Sequence, residues 1–230
     1  MVSSPIAEAR SVAAHHPLGT STGHLTELRG QWDMLVMRAR DVSTMAVELA
    51  ALAEPEFLSL CDWLADSGRE LPFRFLSVHA PTKQRSLPEP ELVARLLALP
   101  STVDAIVVHP DVIDVPERYA PLGATVVLEN MDTRKDDGRT AAELAPYFAA
   151  LPDAGFCLDV PHAHSIDPTL EEAHAMLDAF GERLRHLHVS SLDADSHHVT
   201  LRPEDEAAFA PILGRCLDVP WILEAPLPTR

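Results

Sequence analysis

The 230-residue chain has little glycine, little cysteine, few aromatics and few cations. Its nine glycines include no GxGxxG, the fingerprint that a dinucleotide-binding open sheet carries at its first turn. Three cysteines, Cys61, Cys157 and Cys216, stand far apart with no CxxC spacing, so neither a disulfide framework nor a thiolate zinc site is expected. No apolar run reaches 18 residues, which excludes a membrane-spanning helix. The opening MVSSPIAEARSVAAHHPLG has no apolar stretch of signal-peptide length, so a cytoplasmic location is expected. Lys plus Arg number 18 against 35 Asp plus Glu, a net charge of −17. That balance repels phosphate backbones and anionic membranes. It points away from nucleic acid and towards a small-molecule partner, neutral or cationic.

Proline and histidine are plentiful, at 20 and 12 residues. Proline at that level breaks a chain into short elements with tight connections. No composition break or linker divides the sequence. Short apolar runs alternate with helical patterns, the signature of βα units around a parallel sheet. Strands are expected at 19–24, 46–50, 74–79, 105–109, 125–129, 155–159, 185–190 and 221–224. Helices are expected at 54–67, 89–99, 140–150, 168–180 and 203–213, from apolar residues on one side and proline or acidic residues at their starts. Residues 111–121 are short and proline-rich, which predicts a crossover of a single turn. Eight strands in one α/β chain of this length predict a compact, single-domain (β/α)8 TIM barrel over residues 19–230. Residues 1–18 form an N-terminal extension that the barrel does not require to be ordered.

The histidines and carboxylates fall in a pattern. Six apolar strands in a row reach a metal-ligand type of residue: FLSVHAP, AIVVHPD, TVVLENMD, GFCLDVPHAH, LRHLHVSS and WILEAP. The terminal residues are His79, His109, Glu129, Asp159, His188 and Glu224. Asp, Glu and His together make up only 47 of the 230 residues, so six such endings exceed chance. Barrel enzymes build their sites at these C-terminal strand ends. The two-residue period of a strand turns Glu129 with Val127, Asp159 with Cys157, Glu224 with Ile222 and His79 with Ser77. A lone strand-end histidine has an ordinary role as a hydrogen-bonded structural residue. Six inward ionisable groups need a shared compensation, because buried charge is costly. A divalent cation is the simplest one, and this donor set suits Zn, Mn, Fe or Co, with Mg as a harder alternative. His162 and His164 follow Asp159, and the loop after the seventh strand adds Asp193, Asp195, His197 and His198. Glu48 reads as an ion-pair or substrate-contact residue, His186 as interior packing, and His15, His16 and His174 as surface residues.

The pieces SVHAP, VVHPD, LENMD, LDVPHAH, HLHVSS and ILEAP, in that order over residues 74–226, resemble the xylose-isomerase-like TIM-barrel superfamily. That superfamily holds sugar isomerases and epimerases and endonuclease-IV-type AP endonucleases. In the isomerase branch the resemblance implies one divalent ion held by Glu129, Asp159, His188 and Glu224. It also implies proton exchange with the substrate carbon by Glu129 and Glu224, and a substrate contact by His162. The endonuclease branch implies up to three zinc ions, with His79, His109, His162 and the pair Asp195 and His197 as added ligands. This chain departs from that branch after His197: VTLRPED replaces a glycine-rich continuation, and anchoring on Leu201 makes His198 the loop ligand instead.

Three functions follow as expectations. The first is a divalent-metal-dependent isomerase or epimerase acting on a small sugar or polyol. The second is a multinuclear zinc phosphodiester hydrolase, which uses more of the histidines but conflicts with the acidic charge and the lack of basic and aromatic interleaving. The third is a non-catalytic auxiliary barrel of a biosynthetic pathway, which the complete four-ligand set disfavours.

Overall fold

The computed structural model describes Ile6, residues 17–66 and residues 71–226. Its strands are β1 (Leu18–Ser21), β2 (Ala46–Ala50), β3 (Phe75–His79), β4 (Ala105–Val108), β5 (Val126–Glu129), β6 (Gly155–Asp159), β7 (Leu184–Val189), β8 (Ser191–Leu192), β9 (His198–Val199) and β10 (Trp221–Leu223). All but β8 and β9 close into one barrel in the order β1-β10-β7-β6-β5-β4-β3-β2, and each neighbouring pair is parallel. The expected (β/α)8 barrel is therefore the architecture. Strands buried on both faces read as nearly continuous apolar runs, which is why AIVV and VVLE carry no polar alternation below their ends.

The helices are α1 (Trp32–Val42), α2 (Glu54–Ala65), α3 (Glu89–Leu97), α4 (Ala141–Ala150), α5 (Val160–Ile166), α6 (Glu171–Phe180) and α7 (Pro203–Arg215). Five match expected segments, four with trimmed ends and α7 two residues longer than expected. Helix α4 starts where Thr140 caps it, its hydroxyl accepting the Glu143 N–H at 3.2 Å. The crossover expected as a single turn at 111–121 is longer: it runs through two 3-10 segments, Pro110–Val112 and Pro116–Thr125, the second kinked at Gly123, with residues 113–115 between them in neither. Helices α1 and α5 were not expected. The buried residues of α1, Trp32, Leu35 and Ala39, do follow helical spacing. Pro161 ends β6 as expected, but it also sits in the first turn of α5, where its missing N–H costs nothing.

The first strand is shorter than the expected 19–24. The Ser21 side chain accepts the Gly23 N–H at 3.2 Å and turns the chain away. Gly19 is required for closure: a Cβ there would lie 2.2 Å from the Ala46 carbonyl oxygen of β2. The expected extension over residues 1–18 lies outside the described residues except for three positions. Ile6 donates its N–H to Glu206 on α7 at 3.3 Å, Pro17 accepts the Trp221 N–H at 3.0 Å, and Leu18 opens β1. His15 and His16 also lie outside them. No helix among the described residues is long and apolar enough to cross a membrane.

The core has two parts. The outward strand faces and the helices share one large apolar cluster that includes Leu49, Val78, Ile106, Leu128, Phe156 and Leu158. Inside the barrel a small separate cluster, Ala105, Val127 and Cys157 with Phe75 against it, forms the floor. One strand period above that floor on β5 and β6, and two on β3 and β4, lie the ionisable strand ends.

Candidate metal centre

Strand alternation and barrel closure bring Glu129, Asp159, His188 and Glu224 to one point. His188 Nδ1 lies 3.6 Å from Glu129 Oε2, 3.7 Å from Asp159 Oδ2 and 3.6 Å from Glu224 Oε1. His188 and Asp159 are fully buried, and Glu129 nearly so. The His188 tautomer is set from below. Its Nε2–H donates to Glu48 Oε2 at 3.1 Å, and the same oxygen accepts the Ser77 hydroxyl at 3.0 Å. Nδ1 is therefore the ring nitrogen that faces the three carboxylates. Glu48 is thus the ion-pair residue expected. His186 is the buried interior residue expected, its ring 5.5 Å from Phe75.

A second group stands beside the first. His79 Nε2 lies 3.0 Å from His109 Nε2, and each is 3.3 Å from Glu129 Oε2. His79 Nδ1 is 2.9 Å from the Ala80 carbonyl, a contact that only an Nδ1–H makes, so Nε2 offers its lone pair. Ligand atoms at about 2.0–2.1 Å from a tetrahedral ion lie about 3.3 Å apart, which is the spacing of this trio.

A third group forms around α5. Asp159 caps this helix, accepting the His162 N–H at 2.6 Å, so the Asp-x-x-His spacing is a capped first turn. His162 Nδ1 is 3.0 Å from the Asn130 carbonyl, which turns Nε2 outward, 3.6 Å from Asp132 Oδ2. His198 comes from the β8–β9 hairpin. Its Nδ1 lies 2.8 Å from Ser190 Oγ and 3.1 Å from Glu224 Oε2, and its ring is 5.1 Å from that of His162.

Two expected loop ligands are not brought in. His197 has a side chain 70 % exposed and lies 3.4 Å from Asp193 Oδ2. Asp195 is exposed, and its backbone carbonyl faces Arg134 Nη1 at 3.5 Å. The cause is the turn, in which Asp193 Oδ1 accepts the N–H groups of Asp195 and His197, both at 2.9 Å, with Ser196 at positive φ. That turn aims His197 at the cavity rim and His198 inward. His164 packs its ring against Phe209, and His174 meets Arg215 on the surface.

Asn130 and Asp111 were missed by the sequence reasoning. Asn130 holds both backbone groups of Asp159: its Nδ2 donates to the carbonyl at 2.9 Å and its Oδ1 accepts the N–H at 2.8 Å. Asp111 lies 3.6 Å from His109 Nδ1 and 2.5 Å from Lys135 Nζ. No spacing rule would have flagged either, although both adjoin motif residues.

The electrostatics show how these buried ionisable groups balance one another. Burial pushes the Glu129 carboxyl up, but His109 and His188 beside it more than offset this and hold it well below the carboxylate range. Burial lifts Glu224 to about 8, with Asp159 and Glu129 adding to the rise against His188. Burial lowers His162, yet Asp159 and Glu129 raise it to about 10. His188 is likewise raised well above its ordinary value by the thiol and carboxylates around it, against burial. His198 is lowered to about 4, chiefly by burial. Protons on imidazole balance the carboxylates. The atoms that converge, Glu129 Oε2, Asp159 Oδ2 and His188 Nδ1, are also buried without a hydrogen-bond partner. Orphaned donors of mixed nitrogen and oxygen type fit a divalent transition ion. They open on a cavity of about 670 Å³, walled by His79, His109, His162, His198, Glu129 and Glu224, a size suited to a small molecule.

The family model described as xylose isomerase-like TIM barrel matches residues 112–225. No curated protein matches the chain in sequence. Among solved structures, a D-tagatose 3-epimerase-like protein superposes with a TM-score of 0.57 at 17 % identity, covering 91 % of this chain and 90 % of that one. An L-ribulose 3-epimerase superposes with a TM-score of 0.51 at 12 % identity, covering 90 % of this chain and 80 % of that one. At such identities the likeness establishes the shared barrel. Strand-end motifs, family match and closed barrel lead to one conclusion: residues 112–225 match the xylose isomerase-like TIM-barrel family model and form part of one closed eight-stranded barrel.

Proposed function

We propose that the protein is a divalent-metal-dependent isomerase or epimerase acting on a small sugar or polyol at the C-terminal face of the barrel. The observation that carries this is the convergence of Glu129, Asp159 and Glu224 oxygens on His188 Nδ1, within 3.6–3.7 Å, at the base of a small-molecule cavity. The epimerase fold of the two superposed structures supports the same class. An ion held by these four residues supplies Lewis-acid polarisation of a substrate carbonyl or hydroxyl oxygen. Glu129 and Glu224 are the two carboxyl groups placed to take a proton from the adjacent carbon and return one to it. Their environments separate them, one held ionised and the other raised to about 8, as an acid–base pair requires. His162 offers its unpartnered Nε2 to a substrate hydroxyl. Glu48 and Ser77 keep His188 in its ligand tautomer, and Asn130 keeps Asp159 in place.

A multinuclear phosphoester hydrolase is the second reading, favoured by the tight trio of His79, His109 and Glu129 and the further group of Asp159, His162 and His198. Metal analysis of purified protein separates the two. One ion per chain, with interconversion of ketose epimers that a chelator stops, is expected. Three zinc ions per chain with phosphate release from phosphoesters would replace the first reading by the second.

A further inference from the structure

The chain carries nearly two acidic residues for each basic one, 35 against 18, yet the upper wall of the cavity reverses that ratio. Apart from Glu129 and Glu224 at its base, the cavity presents four cations, Arg29, Lys83, Arg134 and Lys135, and one carboxylate, Asp132. Asp132 is already neutralised by Arg134, whose Nε donates to it at 2.9 Å. Lys135 is paired with Asp111, and Arg29 lies 3.6 Å from Glu56. Lys83 differs: among the described residues its ammonium has no ion-pair partner. Nor is it on a loose loop. Its N–H donates to the Leu52 carbonyl at 2.9 Å, and its carbonyl accepts the Glu54 N–H at 3.1 Å. The buried Glu54 carboxylate then fixes the following turn through the N–H groups of Ser86 and Leu87, at 2.7 and 2.8 Å. An unpaired cation on a braced backbone at the mouth of a cleft focuses positive potential where the rest of the protein is negative.

We propose that the ligand of this cavity carries an oxyanion group, phosphate or carboxylate, which Lys83 receives at the rim with Arg29 and Arg134 nearby. The proposal rests on the reading that the cavity binds a small carbohydrate, and it assigns that carbohydrate a charge. It replaces the neutral or cationic substrate that bulk charge suggested. A side-chain ammonium is a point charge that accepts either oxyanion, so the chemistry is shared until ligands are compared.

The test titrates D-fructose, D-fructose 6-phosphate, D-glucuronate and inorganic phosphate into the metal-bound protein by calorimetry, and repeats the series with Lys83→Ala and Lys83→Arg. Either charged sugar is expected to bind at least ~10-fold more tightly than D-fructose, the difference corresponding to about 1.4 kcal/mol. That preference should shrink with added salt, collapse in Lys83→Ala and return in Lys83→Arg. Preference for the phosphate ester or for the uronate identifies the oxyanion. Equal binding of charged and uncharged sugars, a preference unchanged in Lys83→Ala, or no binding of any of the four probes overturns the proposal. Metal content is measured on the same samples. A full complement of metal with no charge preference removes the oxyanion and leaves the metal-dependent reading intact, whereas absent metal removes that reading first.

Discussion

Two layers of the barrel interior lie one or two strand periods apart and differ in everything but backbone. The lower layer is Phe75, Ala105, Val127 and Cys157, apolar and sealed. On the same strands, the upper layer carries His79, Glu129 and Asp159, whose charges are tolerable only with partners. On β3 and β5 the change happens within a few residues, from Phe75 through Ser77 to His79 and from Val127 to Glu129. The floor supplies stability through burial, and the top spends some of it on polar groups without partners. Stability and site chemistry are therefore separable by position along a strand.

The largest expected effect breaks the comparison by moving the upper chemistry down. Val127→Asp buries a carboxylate in the apolar floor, at a cost of several kcal/mol that consumes much of a typical domain's stability of about 5–15 kcal/mol. An insoluble protein or a strongly lowered melting temperature is expected. Glu129→Gln, made at the next inward position on β5, should stay folded and lose its bound metal. Melting curves and metal content are read on both. A stable Val127→Asp protein, or an undiminished metal content in Glu129→Gln, would mean that the layers do not divide the work in this way.

The upper layer was legible because parallel strands end abruptly: each apolar run stops at the one residue type that an apolar run excludes. The barrel followed from the same runs. What the sequence hid were groups whose partners are set by closure. Glu48 and His188 are 140 positions apart and meet only because β2 and β7 face across the interior. Asn130 looks like any polar residue after a strand. The choice between His197 and His198 depended on one turn at Asp193, a backbone detail that composition does not encode. Helix α5 was lost because Pro161 was taken only as a stop.

A smaller effect sharpens the boundary between the layers. Glu48→Gln keeps the shape but weakens the hold on His188, and loss of a partner that orients a metal-binding histidine costs roughly 10–100-fold in metal affinity. Competition with a chelating dye measures it, and an affinity unchanged from the parent would remove Glu48 from the centre. Next comes pH. His188 lies well above its ordinary value, His162 at about 10 and Glu224 at about 8, so all three hold protons at pH 7 in the metal-free protein. Ligation requires His188 and Glu224 to give theirs up, so binding should release protons and weaken as pH falls. Calorimetry in two buffers of different ionisation enthalpy reads the release directly, and equal apparent enthalpies would count against it. The smallest effect is expected at neighbouring positions: His197→Ala should leave metal content and ligand binding as they are, while His198→Ala weakens ligand binding. Reversed results would mean that the hairpin turn adopts another form when the site is loaded.

Asn130 has a further consequence. The β5–β6 ladder ends at Glu129 opposite Cys157, so Asp159, though paired with His188 on its β7 side, lies past the last rung on its β5 side. A carboxamide that clasps both backbone groups of Asp159 acts as one more rung, built from a side chain. The amide proton of Asp159 is then held by a buried acceptor. The loops around the mouth can lengthen, shorten or change composition without altering the distance between Glu129 and Asp159, since the clasp joins the two strand ends at that level.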